Sequence, residues 1–220
     1  MGQPVLLEPG STERTRVRRI PEKAVTDREV LHAILDAGLV AHVGIVDENG
    51  QPYVVPVAYA RDGDRILFHG STGSRLFRRL ADGAPTCVTV TLLDGLVLAR
   101  SAFESSMHYR GAMALGTCTV LMDDDKDDAL RRISDHLLPG RWDDIRSPSR
   151  KERVSTLMLA MPLDEVSVKV SDGMPDDLEE DRDRPVWAGV VPIREVFGAP
   201  LPDEAGAAFP VPDYVSEWAR

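Results

Sequence analysis

The sequence predicts a mostly β protein, an antiparallel barrel with peripheral helices. Three observations predict this class. Short apolar runs follow one another from residue 39 to residue 122, turn residues such as Asn49-Gly50 separate them, and few segments have the apolar spacing of a helix. Strands joined by tight turns pair antiparallel, and several of them in close succession can roll into a barrel.

The predicted strands are apolar runs bounded by turn signals. Asn49-Gly50 is a strong hairpin signal between the first two runs, and we interpret Asp94-Gly95 as another hairpin turn. The strands are predicted over residues 39–46, 52–60, 65–69, 86–93, 96–103, 112–122, 156–162 and 165–170.

Helical patterns lie around these runs. Thr26 and Glu29 have the spacing of a capping box, which begins a first helix, and Gly38 ends it. The acidic run from residue 123 begins another helix, since negative charge complements the positive end of the helix dipole. The helices are predicted over residues 27–37, 74–80 and 123–138.

Composition limits the class of protein. The chain has 220 residues with 43% apolar and only 5% aromatic side chains, so Val, Leu, Ala and Met must fill the core. A formal net charge of −10 disfavours a nucleic-acid partner, because a phosphate backbone demands a basic face. No apolar run approaches the roughly 18–20 residues of a membrane span. With Cys87 and Cys118 inside apolar runs, as buried free thiols, we expect a cytoplasmic protein without a membrane partner.

The chain divides by composition into an arm, one domain and a tail. Residues 1–20 are polar and are expected to form a flexible arm, whereas residues 21–198 hold the predicted strands and helices. Residues 199–220 are rich in proline and predict an extended tail. Within the domain, the acidic stretch 172–184 predicts a solvated, mobile loop.

The segment from Phe68 to Arg75 carries the clearest site signal. A predicted strand runs into a small loop with the hydroxyls of Ser71, Thr72 and Ser74, and the loop leads into a helix. Free backbone N–H groups, hydroxyls and the Arg75 guanidinium together suit a phosphate. A phosphate-binding loop on an antiparallel barrel points towards a flavin mononucleotide (FMN) site.

His69 is the catalytic candidate beside this loop. A lone His is often structural, but a pKa near neutrality would let it donate to a flavin carbonyl or pass a proton. A metal site of His42, His69 and His108 is a weaker alternative, because no His-x-His spacing supports it. A serine hydrolase is disfavoured, because the sequence has no Gly-x-Ser-x-Gly nucleophile elbow.

Three further places offer ligand-binding groups. Residues 105–111 connect two predicted strands and place Tyr109 and Arg110 at a barrel rim, where ligand sites are common. Lys169 lies in an alternating strand and is either a solvated side chain or a charge near a flavin ring. Trp187 either fills the core or forms a planar wall against a ring.

Together these residues resemble the pyridoxamine 5'-phosphate oxidase-like family of FMN-binding split barrels, and within it the branch that includes nitroimidazole-resistance reductases. The resemblance runs from about Thr26 to Gly198. Its carriers, in chain order, are residues 52–59, 68–71, Ser74-Arg75, residues 94–101, residues 108–110, Gly116, Lys169 and residues 187–192.

The resemblance implies a homodimer with two FMN sites at the subunit interface and a small-molecule substrate. The backbone around Pro56 would contact the isoalloxazine, and Ser71, Ser74 and Arg75 would contact the phosphate. The cofactor-binding residues implied are Val55, Pro56, Val57, His69, Gly70, Ser71, Ser74, Arg75, Tyr109, Arg110, Lys169 and Trp187. Leu76 stands where pyridoxamine-phosphate oxidases have a basic residue, so oxidation of pyridoxamine phosphate is not implied.

The predicted function is an FMN-dependent oxidoreductase that passes electrons from a reduced nicotinamide or similar donor to a small planar acceptor. In such an enzyme the protein binds and orients the flavin, which does the chemistry. Two alternatives stay open: a non-catalytic flavin-binding or flavin-sensing module, and a split barrel that binds haem or a deazaflavin.

Overall fold

The computed structural model of the chain describes residues 6–218. The strands are β1 (Ala24–Val25), β2 (Val40–Val46), β3 (Pro52–Asp62), β4 (Arg65–Ser71), β5 (Thr86–Leu98), β6 (Ser106–Gly116), β7 (Thr119–Val120), β8 (Thr156–Pro162), β9 (Glu165–Ser171) and β10 (Gly189–Pro192). The helices are α1 (Arg28–Ala37), α2 (Arg75–Ala81), α3 (Asp123–Leu137), α4 (Arg150–Ser155) and α5 (Asp213–Ser216). Within these residues, no helix combines the length and apolar character that crossing a bilayer requires.

The strands pair in the order β1-β9-β6-β5-β2-β3-β4-β8-β7, and β10 adds to β5. Every neighbouring pair is antiparallel. In the part of the chain described, β1 and β7 at the two ends do not pair with each other. The prediction of a mostly β split barrel with peripheral helices is therefore confirmed, but the sheet stays open where a closed barrel was expected.

The core has two parts, one on each face of the strands around β4. Inside the barrel, alternate side chains of β2, β3, β4 and β8 pack with α1 and α2, and Ile66 and Phe68 are fully buried there. On the opposite face, Leu67 packs with Ala129 and Ile133 of α3. Because side chains alternate along a strand, His69 follows Leu67 on the face that α3 and α4 cover.

The residues that begin and end helix α1 act differently from the prediction. Asp27, and not Thr26, is the N-cap, and its carboxylate accepts a hydrogen bond from the backbone N–H of Glu29 at 2.8 Å. Gly38 ends the helix in an extended conformation. A Cβ at Gly38 would lie 2.7 Å from the hydroxyl of Tyr59, so close packing explains this glycine.

The Asp94-Gly95 hairpin prediction is wrong. Both residues lie within the single continuous strand β5, which has an irregularity in its pairing with β6 between Leu93 and Gly95. The Asp94 carboxylate accepts two hydrogen bonds from Arg110 on the neighbouring strand, at 2.8 and 2.9 Å. Asp94-Gly95 therefore forms a β-bulge within one strand and not a turn, because Arg110 on the neighbouring strand binds Asp94 and holds it in the sheet.

The following strand is also shifted from its prediction at 112–122. Residues 106–111, which we predicted to connect two strands, already belong to β6, and β6 ends at Gly116. The chain then crosses to the other side of the barrel, where Thr119 and Val120 pair with β8. Tyr109 and Arg110 consequently have fixed positions in the sheet.

The segments outside the sheet have contacts of their own. The N–H of Gly10 donates to the carbonyl of Val166 at 2.7 Å, and Arg14 forms an ion pair with Glu165. Most of the acidic stretch 172–184 is exposed, in agreement with the solvated loop predicted, but Asp177 and Asp181 are buried. Near the C-terminus the ring of Trp218 packs against that of Phe197, with centroids 5.9 Å apart.

Candidate cofactor site

The barrel opens between β3 and β4. The two strands pair only from Tyr59 to Asp62, whereas β2 pairs with β3 from Pro52 to Ala58. Among the residues that the structure describes, β3 therefore has a partner on one side only along 52–58. Alternate residues of this edge direct backbone N–H and C=O groups away from β2. Val55, Pro56 and Val57, the predicted ring-binding residues, lie in this edge.

The predicted phosphate loop forms a compact turn at the end of β4. The hydroxyl of Ser71 accepts from the N–H of Gly73 at 3.1 Å, and the N–H of Ser74 donates to the carbonyl of Ser71 at 2.9 Å. Ser74 is the N-cap of α2. A Cβ at Gly70 would lie 2.3 Å from the ring of Phe77, so only glycine lets α2 approach β4 this closely.

Three arginines of α2 face the turn between β2 and β3. Arg75, Arg78 and Arg79, at spacings of three and four residues, share one face of the helix and line a cleft of about 350 Å³ with Tyr53. Within residues 6–218, the guanidiniums of Arg75 and Arg78 have no hydrogen bond or ion pair. Arg79 donates from Nη2 to the carbonyl of Val46 at 3.3 Å, and its Nε is buried without a partner. Arg78 and Arg79 are not among the predicted site residues, although their spacing from Arg75 on one helix face is a signal in the sequence.

The same cleft contains carboxylates, of which Asp47 is already satisfied. Its side chain accepts from the N–H groups of Gln51 and Asn49, both at 2.9 Å. These bonds, together with the charges of Arg79 and Arg75, lower the pKa of Asp47. The guanidiniums of Arg75 and Arg78 remain the free donors of the cleft, which suits an anionic ligand.

His69 does not point into this cleft. Its imidazole opens into a second cleft of about 460 Å³ on the other face of β4, beneath α3 and α4. His69 is exposed as a residue, but the side chains around the ring desolvate it in part, which lowers the pKa of His69. The cleft walls are His69, Leu130, Ser134, Trp142, Ile145, Arg146, Pro148, Glu152, Arg153 and Thr156.

The other predicted site residues lie on the opposite part of the sheet. Arg110 is bound by Asp94, and Lys169 donates from Nζ to the carbonyl of Arg19 at 3.3 Å. Tyr109 lies opposite Leu93, in the pair of β6 with β5. Trp187 is 65% exposed, so it does not fill the core, and its ring lies over the backbone of Gly189.

The predicted site residues thus form two groups in one chain. The corner group comprises Val55, Pro56, Val57, Gly70, Ser71, Ser74 and Arg75, and the sheet group comprises Tyr109, Arg110, Lys169 and Trp187. Along the sheet, β5 and β2 separate β6 and β9 from β3. Within the described residues, no hydrogen bond or ion pair joins the two groups.

The outer face of β2 and β3 is apolar and exposed. Val40, Val46 and Val54 are exposed by 46%, 52% and 62%, and the register places them on one face with His42 and Pro56. Contiguous exposed apolar side chains of this kind mark interaction surfaces.

Metal-binding residues do not cluster in the part of the structure described: residues 6–218 contain no group of three His, Cys, Asp or Glu side chains that could hold an ion. The two cysteines are free thiols, Cys118 buried and Cys87 half-buried.

A family model described as pyridoxamine 5'-phosphate oxidase matches residues 27–170. No curated protein sequence matches the chain significantly.

Solved structures resemble the chain over most of its length. The FAD and haem binding protein from Mycobacterium smegmatis is 44% identical with a TM-score of 0.86, and the match covers 90% of this chain and 97% of that one. The flavocytochrome Anf3 from Azotobacter vinelandii is 40% identical with a TM-score of 0.88, covering 96% and 98%. A protein assigned to 5-nitroimidazole antibiotic resistance from Bacteroides thetaiotaomicron shares the fold, with 24% identity, a TM-score of 0.56 and coverage of 67% and 86%.

Proposed function

Since the chain belongs to the pyridoxamine 5'-phosphate oxidase family, we propose that it is a redox protein that binds a flavin together with a haem. The observation that carries the flavin assignment is the free pair of guanidiniums on Arg75 and Arg78 beside the one-sided edge of β3. Haem is included in the proposal because two relatives of nearly equal length, 44% and 40% identical, are named for flavin and haem together.

The corner group would hold the flavin. Its strand edge offers backbone N–H and C=O groups to the polar rim of a planar ring, as an unpaired strand offers them to another strand. Ser71, Ser74 and Arg75 would bind the phosphate, because hydroxyls and a guanidinium form charge-assisted hydrogen bonds with it. This assignment follows the sequence prediction, with His69 omitted because its ring lies on the other face of β4.

We propose FAD in preference to the predicted FMN. FAD carries a pyrophosphate where FMN carries one phosphate, and Arg78 and Arg79 extend the basic surface of Arg75 along α2. Arg79 is engaged within the chain, because its Nη2 donates to the carbonyl of Val46 at 3.3 Å, so Arg75 and Arg78 would supply the donors for the pyrophosphate. The Mycobacterium smegmatis relative is named for FAD.

A second copy of the chain would complete the site. The sheet group lies apart from the corner group in one chain, and pairing two copies can bring each sheet group to the other copy's corner. The exposed apolar face of Val40, Val46 and Val54 supplies a surface for this contact. We therefore retain the homodimer as a proposal.

When bound, a flavin exchanges electrons singly or in pairs and a haem exchanges single electrons. The chain's own residues would bind and orient these cofactors. The corner group would bind one end of the flavin, and the sheet group of the partner subunit would bind the other end. Lys169 would place a positive charge near the ring, where it stabilises added negative charge. A small electron acceptor would then be reduced with electrons from a nicotinamide or similar donor.

The test is the cofactor content of the freshly purified protein. We expect a flavin spectrum with a superimposed Soret band, FAD in the mass spectrum of the acid extract, and protohaem in a pyridine haemochrome assay. Anaerobic NADH or NADPH should bleach the flavin, and air should restore it. A coloured protein inert to both donors would favour the sensing alternative, and a protein free of flavin even after incubation with FAD would refute the proposal.

A further inference from the structure

We propose that the cleft beneath α3 and α4 is the haem site and that His69 would hold its iron. This inference rests on the proposed function, because that function introduces the haem. It assigns to His69 a role distinct from the flavin-side catalysis that the sequence predicts, and it follows from where the imidazole points.

The hydrogen bonds of the histidines restrict the choice of ligand. His32 bonds to Asp64 at 3.0 Å, His108 to the carbonyl of Gly173 at 2.6 Å, and His136 to the carbonyl of Gly38 at 2.7 Å. The two remaining histidines, His42 and His69, have no partner among residues 6–218. Haem iron in proteins is commonly held by a His nitrogen. In the three bonded histidines the engaged atom is Nε2, which leaves only Nδ1, the nitrogen next to the side-chain stem, for a metal.

The structural environments of His42 and His69 distinguish them as candidate ligands. His42 lies in the middle of β2 on the outer sheet face, directly opposite Pro56 and Thr89 on its neighbouring strands. That face is the one proposed to contact a second copy. His69 opens into the cleft of about 460 Å³, which is a concave site within one chain. A large planar ligand needs concave walls on both sides, so the cleft favours His69.

The walls of the cleft suit a porphyrin. Leu130 of α3 and Ile145 and Pro148 of the following segment present apolar surface, and Trp142 adds an aromatic ring. These four side chains would contact the faces of the macrocycle, which carry no hydrogen-bonding atoms, whereas the six polar lining residues would lie at its edge or at the iron.

Two guanidiniums at the rim of the cleft, each paired with a carboxylate, would bind the two propionates. Arg146 pairs with Glu152 at 2.7 Å, and Arg153 pairs with Asp127 at 2.7 Å. A guanidinium has five N–H donors, so each retains donors for a propionate oxygen. Lys126 holds the two helices together, because its Nζ donates to the carbonyls of Arg153 and Thr156, both at 2.6 Å.

His69 is accessible for a ligand role. It is among the exposed residues of β4, so a group that enters the cleft can reach its imidazole. The sequence alone did not indicate this role, since residues 142–148 form the wall only after the chain folds back over β4.

The experiment compares His69→Ala with a matched variant, His42→Ala, which removes the other unpartnered imidazole. Each protein is purified with its bound cofactors, and haem and flavin are quantified per chain by the pyridine haemochrome assay and by flavin release. We expect His69→Ala to lose most of its Soret absorbance and to retain its flavin. His42→Ala should keep the wild-type Soret maximum. In His69→Gly, added imidazole should restore a wild-type-like spectrum on titration with hemin.

The possible results distinguish a wrong assignment of the haem site from a failure of the proposed function. If His69→Ala keeps its full haem content with an unchanged Soret maximum, His69 is not the ligand, although the protein still binds haem. If His42→Ala loses the haem instead, His42 is the ligand and the haem site lies on the outer face of the sheet, which contradicts this inference. If wild-type protein contains no haem and binds no added hemin, the haem part of the proposed function fails, and this inference fails with it.

Discussion

Gly70 lies directly against the aromatic ring of Phe77, and a Cβ at position 70 would come within 2.3 Å of ring atoms. Phe77 is itself buried at 6% exposure, and its ring packs edge-on against that of Phe68, with centroids 6.2 Å apart. The ring therefore has little room to move. This contact sets the distance between β4 and α2, and with it the shape of the Ser71–Ser74 turn between them.

Replacing Gly70 with Ala should destabilise the fold through this clash. Overpacking a well-filled core typically costs about 1–3 kcal/mol, and we expect a loss of that size in the free energy of unfolding from urea melts. Gly73→Ala is the matched change three residues along, where the nearest atom to an added Cβ is the Ser71 hydroxyl at 3.5 Å. Equal midpoints for the two variants would show that Phe77 gives way and that the contact does not set the spacing.

Local elements could be predicted where a short turn fixes the strands. Asn49-Gly50 joins β2 to β3 as predicted, and Gly50 has the positive φ of 81° that such a turn favours. Asp94-Gly95 has the same kind of signature but lies within β5, because Arg110 on the next strand binds Asp94. A local pattern cannot reveal a partner on another strand, so this error could not be avoided from the sequence.

The site residues also divide into those that a local sequence pattern predicts and those that only tertiary packing brings together. Ser71, Ser74 and Arg75 are close in the chain, and the structure brings them together in one turn at the end of β4. The cleft at His69 draws Trp142 and Ile145 from a segment without a periodic apolar pattern. Only tertiary packing brings these side chains together, so no signal in the sequence indicated the cleft.

Asp177 should stabilise the fold in a pH-dependent way. Its carboxylate accepts from the backbone N–H of Arg100 at 2.6 Å and from the Arg100 guanidinium at 2.7 Å, and these bonds lower its pKa. A carboxyl with a lowered pKa stabilises the folded state above its unfolded pKa of about 3.9, and the effect disappears as the pH falls through the folded value.

Asp177→Asn should therefore lower the free energy of unfolding at pH 7, and the gap to the wild type should narrow below about pH 4. Urea melts across this pH range measure both effects. Asp176→Asn changes an exposed neighbour and should shift neither. A gap that stays constant down to pH 3 would contradict the role of the Asp177 charge.

The two cysteines should differ in reactivity. Burial raises the pKa of Cys118 to about 12, and it also raises the pKa of the half-buried Cys87. Because the thiolate is the reactive form, native protein at pH 8 should react with iodoacetamide slowly at Cys87 and more slowly at Cys118. In urea both should react at similar rates. Peptide mass spectrometry distinguishes the sites, and rapid native labelling of Cys118 would contradict its burial.

Arg75→Ala should weaken flavin binding. A charge-assisted hydrogen bond contributes about 1.5–3 kcal/mol, which corresponds to roughly a tenfold or greater rise in Kd. Adding Ser74→Ala should weaken binding further, but Ser74 also caps α2, so thermal melts must accompany the titrations. Arg131→Ala, a change of the same type on the exposed side of α3, should leave Kd unchanged. Full flavin content in the double variant would rule out this corner as the phosphate site.

Mixing two defective variants tests whether each site draws on two chains. Ser74→Ala/Arg75→Ala damages the corner group, and Lys169→Ala/Trp187→Ala damages the sheet group. If the groups meet across the interface of a homodimer, a mixed dimer contains one site with both groups intact and one with both damaged. After unfolding and refolding together, about one quarter of all sites should regain tight flavin binding, because half of the dimers formed at random are mixed. Each variant refolded alone sets the baseline for the flavin fluorescence titration. Recovery no greater than that baseline would place both groups of one site within a single chain, or would show that the sheet group takes no part in binding.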